Sequence, residues 1–158
     1  MKVASIKKLK DELGHRSKEE LLNYCLQLSK FKKENKELLT YLLFDSIDEQ
    51  EFIAQIKQEV EIQFGLINKK NFYLIKKSVR KILKMIKKYI RYSKKKETEV
   101  ELLLFFCVQL SNFSPSIKRN TTLLNLYNRQ LLLVKKGISV LHEDLQYDYE
   151  QELQEITL

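Results

Sequence analysis

From Asn71 to Ser93 the chain reads "NFYLIKKSVRKILKMIKKYIRYS", with neither glycine nor proline, and its apolar residues recur every three or four positions. Phe72, Ile75, Val79, Ile82, Ile86 and Tyr89 carry the pattern, with Leu83 and Ile90 beside them. At about 100° per residue these side chains fill one half of a helical cylinder. Lys77, Arg80, Lys81, Lys84, Lys87, Lys88 and Arg91 fill the other half, and Tyr73 is the one aromatic among them. A helix of this length spans about 33 Å, which is long for a small domain.

The remainder of the chain is equally short of turn chemistry. Three Gly and one Pro in 158 residues leave a β-rich fold without its punctuation, while long tracts of Leu, Lys, Glu and Gln favour helix. Helix starts are marked by Ser17 with Glu20, Asp48 with Glu51 and Thr98 with Glu101, pairs suited to a capping box. Asn71 and Ser114–Pro115 supply further starts. Gly65 and Gly137 stand where helices should stop. These marks predict helices near 3–13, 18–31, 35–45, 48–64, 71–93, 98–113, 115–136 and 138–155.

An octet, "YCLQLSKF" from Tyr24, returns as "FCVQLSNF" from Phe106 with five identities in eight. Both copies close a capped helix, follow a Lys-rich helix and precede an apolar one. That arrangement predicts two units of about 80 residues that stack, because one such unit buries its apolar face poorly alone. The helix around the first copy alternates apolar with polar residues, as on a surface. The second is apolar at almost every position from Val100 to Val108 except Glu101, as in a helix surrounded by others. The second copy is therefore expected at the centre, with the first packed on it from one edge. Cys25 and Cys107 fall at equivalent positions and are expected to be small apolar contacts between helices.

The net charge of +8 is concentrated. Residues 69–96 hold 13 basic and no acidic residues, against 16 basic and 21 acidic elsewhere. Lys outnumbers Arg 24 to 5, a bias that an AT-rich genome also produces, so placement says more than total charge. Three readings suit the stripe: a solvated outer face, an electrostatic contact with protein, or attraction to nucleic-acid phosphates. Glu143, Asp144, Asp148, Glu150, Glu152 and Glu155 form an acidic end without Lys or Arg, suited to the stripe of the same or a neighbouring chain. The nucleic-acid reading is sequence-independent, since a Lys-rich stripe attracts phosphates without reading base edges. A membrane-surface role conflicts with the need of the apolar half for the core.

Little points to catalysis. "HEDLQ" from His142 begins like a zinc-protease motif, but Gln146 stands where the second His belongs. His15 and His142 are read as structural, and Glu59 and Glu61 as solvent-facing charge. No Gly-rich phosphate loop or nucleophile elbow occurs. No catalytic, cofactor-binding or metal-binding residue is expected, and no cofactor. The start "MKVASIKKLKDELGHR" lacks a signal-like apolar stretch, and the longest apolar run, Leu102 to Val108, is too short to span a bilayer. A cytoplasmic protein without a membrane partner is expected.

The segment "LKDELGHRSKEELLNYCLQLSKFKKENKELLTYLLF", followed by "FYLIKKSVRKILKMI", resembles an uncharacterised family of small bacterial all-helical proteins. The likeness rests on Arg16–Ser17–Lys18–Glu19–Glu20–Leu21 and Lys76–Lys77–Ser78–Val79–Arg80–Lys81, within about the first 90 residues. The Trp-containing close of that family is absent, as this chain has no Trp. The resemblance implies no assigned activity and transfers no site.

The expected fold is all-α: a helical bundle or short α-solenoid of two stacked helical-hairpin units in a single domain, 1–158. Residues 1–68 form the first unit, 69–96 the basic helix, and 97–158 the second unit with its acidic C-terminal helix. The expected function is a non-enzymatic binding or scaffolding module acting on an unknown protein partner, a homo-oligomeric partner included. The alternative is non-specific nucleic-acid binding through 71–93. In either case Lys77, Arg80, Lys81, Lys84, Lys87, Lys88 and Arg91 are the candidate contact residues.

Overall fold

Helices begin in this chain where a side chain takes up the free N–H groups of a first turn. A computed structural model, describing residues 1–156 and 158, shows an all-α helical protein with no strand among the described residues. Helix α1 (Ile6–Leu13) starts at Ser5, whose hydroxyl accepts from the Lys8 N–H at 3.3 Å. Helix α2 (Lys18–Phe31) has the expected capping box between Ser17 and Glu20. After the single extended residue Lys32 comes α3 (Lys33–Leu43), then a 3₁₀ turn, Asp45–Ile47. Asp48 caps α4 (Glu49–Gly65), and Asn71 caps α5 (Phe72–Ser93) by accepting from the Leu74 N–H at 3.0 Å. Helix α6 (Lys96–Ser111), a 3₁₀ turn at Ile117–Arg119, α7 (Thr121–Ile138) and α8 (Glu143–Glu155) complete the chain.

Four expected boundaries move, those at Thr98 and Gly137 because of residues distant in the chain. Thr98 is not a cap: α6 starts earlier, and the buried Thr98 hydroxyl donates to Glu49 Oε1 at 2.7 Å. Ser114–Pro115 does not open α7; Asn120 does, accepting from the Leu123 N–H at 3.2 Å. Gly137 does not stop α7 but lies within it, where a Cβ would stand 2.5 Å from Val100 Cγ2. It is there because α6 and α7 approach too closely for a side chain. Helix α8 then begins at Glu143 rather than near 138, with His142 as its cap.

The chain divides between Phe44 and Asp45 into two compact units. That division falls before the boundary near 68 expected from the repeated octet, because α4 packs with α5 and α6. In the first unit, α2 and α3 form a hairpin braced by Asn35, whose Nδ2 donates to the Leu28 carbonyl at 2.8 Å. Only Ser29 and Tyr41 are buried there.

The second unit is built around α6, which packs against α4, α5 and α7. Val100, Leu102, Leu103, Leu104, Phe106, Cys107 and Leu110 are all buried, so the helix that is apolar on every side is indeed enclosed. Ile75, Val79, Ile82, Leu83 and Ile86 bring the apolar half of α5 into the same core. Phe64 meets Phe106 and Phe113 with ring centroids 5.8 and 6.1 Å away. Each fully buried Leu, Ile or Phe is worth about 1.5–3 kcal/mol. Glu49 ties the α5–α6 turn to α4 by accepting from Ser93 Oγ, from Thr98 Oγ1 and from Lys95 Nζ at 3.1 Å.

Candidate functional site

The α5 cations sit where the periodicity puts them. Lys77, Arg80, Lys81, Lys84, Lys87 and Arg91 are exposed, while Lys88 is half-buried with its Nζ 4.8 Å from the Tyr89 ring centre. Tyr73 projects into solvent beside them. At about 100° per residue the stripe resolves into two strips. Lys77, Lys81, Lys84, Lys88 and Arg91 form the outer ridge. Arg80 and Lys87 flank it on the side of Leu83, across a cleft from Arg129 of α7. Lys77, Arg80, Lys81, Lys84, Lys87, Arg91 and Arg129 have no ion-pair partner among the described residues.

Helix α8 packs on α7, and no ion pair joins it to the α5 cations among the described residues. Its buried Tyr149 instead donates its hydroxyl to Glu101 Oε2 at 3.1 Å. Glu101 Oε1 accepts from Lys57 Nζ at 2.7 Å. Burial foremost, then the Glu101 carboxylate, holds the Tyr149 hydroxyl well above the ordinary phenol range. Partial burial also raises Glu152; Lys57 opposes this, while Glu101, Glu155 and Asp148 add to it.

A second surface was not picked out by the periodicity of α5. Ile6, Leu9 and Leu13 line one face of α1, which has no buried residue. Leu22, Leu26, Leu28, Phe31, Leu42 and Phe44 are likewise exposed. An apolar groove of about 210 Å³ between α2 and α3 is lined by Cys25, Leu28, Leu38, Leu39 and Leu42, among others. The sequence carried a signal for this surface, since the first 44 residues hold an amphipathic face in each helix. It could not say whether those faces would be covered.

The chemistry-bearing residues are placed unequally. Cys107 is buried as expected, and burial pushes its thiol up to about 12. Cys25 is exposed, against expectation, because α2 lacks the surrounding helices that enclose α6. His142 is a cap, its Nδ1 accepting from the Asp144 N–H at 3.3 Å, and His15 is exposed after α1. Glu61 faces solvent, but Glu59 is half-buried and accepts from Gln63 Nε2 at 3.1 Å and from the Tyr89 hydroxyl at 3.4 Å. No group of three or more His, Cys, Asp or Glu is placed to hold a metal ion among the described residues. No described helix is long and apolar enough to cross a membrane.

The fold and these surfaces define an all-α helical bundle with a cationic helix and exposed apolar residues on α1, α2 and α3. No protein-family model, curated protein or solved structure matches the chain.

Proposed function

We propose that the chain is a non-enzymatic, cytoplasmic binding module that docks a protein partner through the apolar faces of residues 1–44. The observation that carries this reading is the exposure of Ile6, Leu9, Leu13, Phe31, Leu42 and Phe44 in a unit that buries so little of itself. Cys25, Leu28, Leu38, Leu39 and Leu42 share one apolar groove in this unit, and exposed apolar patches mark interaction sites. The unit holds 10 basic and 6 acidic residues, so the complementary partner presents an acidic amphipathic helix. The groups that carry chemistry elsewhere serve structure here: Cys107 is buried, His142 caps α8, and Glu49 and Glu101 hold helices together. The resemblance to an uncharacterised bacterial family agrees with a small helical protein and assigns it no activity.

The test compares affinity capture by wild type and by the double variant F31E/L42E, whose changes lie on the surface and leave the second unit folded. A partner lost with the variant, and binding through an acidic amphipathic helix, supports the reading. The same proteins recovered by both overturns it. A wild-type dimer that the variant dissociates assigns the face to a second copy instead.

Lys77, Lys81, Lys84 and Arg91 of the α5 ridge, which have no ion-pair partner among the described residues, favour a second reading, sequence-independent binding of nucleic acid. Anisotropy titrations should then show affinity falling steeply with salt, and K77E/K81E/K84E should abolish binding. No binding at low salt ends that reading.

A further inference from the structure

The outer ridge of α5 is a straight row of charge, and one aromatic ring stands in line with it. Lys77, Lys81, Lys84, Lys88 and Arg91 follow one another at three or four residues, and so share one face of the helix. The helical rise spaces them about 4.5–6 Å apart along the axis and makes the row about 21 Å long. Tyr73 lies four residues before Lys77, on the same face, and is 70% exposed. Helix α5 contains no acidic residue. Lys77, Lys81, Lys84 and Arg91 have no ion-pair partner among the described residues. The opposite half of the helix is buried through Ile75, Val79, Ile82, Leu83 and Ile86, which fixes the row on the outside.

We propose that this face binds single-stranded nucleic acid, with successive phosphates along the cation row and one base stacked on Tyr73. The proposal rests on the nucleic-acid reading of the ridge and adds to it the strand state of the ligand. It does not depend on the apolar docking face. Evenly spaced cations match a polymer whose charges also repeat, and the cations need not converge on one point. A flexible single strand can lay its phosphates along a straight row, whereas the two backbones of a duplex wind away from it. A duplex also keeps its bases stacked on one another. Only an unpaired base is free to stack on an exposed aromatic ring, and such stacking is indifferent to sequence. An acidic protein surface would meet the same cations but would give the ring in line with them no such role.

The experiment titrates the full chain, by fluorescence anisotropy, with a labelled DNA strand of about twelve nucleotides, its duplex, and an RNA strand of the same sequence. Five phosphates met on a single strand should cost about a hundredfold in affinity between about 50 and 200 mM salt. The duplex should bind about tenfold more weakly than the single strand, or worse. Y73A should weaken the single strand by about fivefold or more and leave the duplex unchanged. Y73F retains the ring face and should bind the single strand like wild type. Tyr73 is exposed, so neither change disturbs the core. The RNA and DNA strands should agree within about threefold, because neither the row nor the ring reads the sugar. A wider gap between them overturns this geometry. So does a duplex bound as tightly as the single strand, or Y73A equal to wild type on the single strand. In those cases a steep salt dependence leaves the broader nucleic-acid reading standing. No binding of any probe at low salt ends both.

Discussion

Two stretches of nearly the same letters meet opposite fates in this protein. In "FCVQLSNF" of α6, Phe106, Cys107 and Leu110 are each 0% exposed. In "YCLQLSKF" of α2, Tyr24 and Leu28 are 40% and 62% exposed, and Phe31 is 77% exposed. The octets differ little in composition. Their surroundings differ a great deal, because α6 has α4, α5 and α7 packed on it while α2 forms a hairpin with α3. Apolar letters state a demand for burial; neighbouring helices decide whether it is met.

Thiol chemistry breaks or sharpens this contrast most sharply. Under native conditions an alkylating reagent should modify Cys25 at the rate of a free thiol. Cys107 should react at least about a thousandfold more slowly, since it must await opening of a core whose stability is several kcal/mol. Its thiol, pushed up to about 12 by burial, also supplies almost no thiolate near neutral pH. Mass spectrometry of the labelled chain reads both sites, and comparable rates would break the comparison.

Phe106→Ala should cost about 3–5 kcal/mol through the cavity it leaves, measured by denaturant unfolding. Tyr24→Ala, its counterpart in the first copy, should cost less than about 1 kcal/mol. Gly137→Ala comes next, at about 1–3 kcal/mol, because the new methyl would collide with Val100 where α6 and α7 touch. Gly65→Ala adds a methyl in open space at the end of α4 and should be neutral or slightly stabilising.

The smallest effect concerns Glu152. Its folded-state pKa is raised, so its charged form destabilises the fold at neutral pH, and that cost disappears as protonation sets in on acidification. Glu152→Gln should therefore raise the melting temperature slightly at pH 7. The gap from wild type should close as the pH falls through the ordinary carboxylate range. A gap that widens in acid would reverse the assigned sign.

Much of the fold was legible one helix at a time. Ser17, Asp48 and Asn71 cap the helices they were expected to cap, since capping depends on residues three positions apart. The two faces of α5 followed from periodicity alone for the same reason. Thr98 was misread because its hydroxyl bonds to Glu49, which lies far away in the chain. Gly137 was misread because its role is set by Val100 on another helix. The candidate cations on α5 were legible as a stripe, but their division was not. Arg80 and Lys87 separate from the ridge only because α7, with Arg129 and Gln130, lies beside them.

Local spacing thus determined the helical class, most helix starts and the cationic face of α5, all of which depend on groups within a turn or two of each other. Tertiary structure alone decided which apolar octet would be enclosed and which glycine would admit a neighbour. Those outcomes depend on contacts between residues distant in the chain, and the hydrophobic effect that drives such contacts carries no direction of its own.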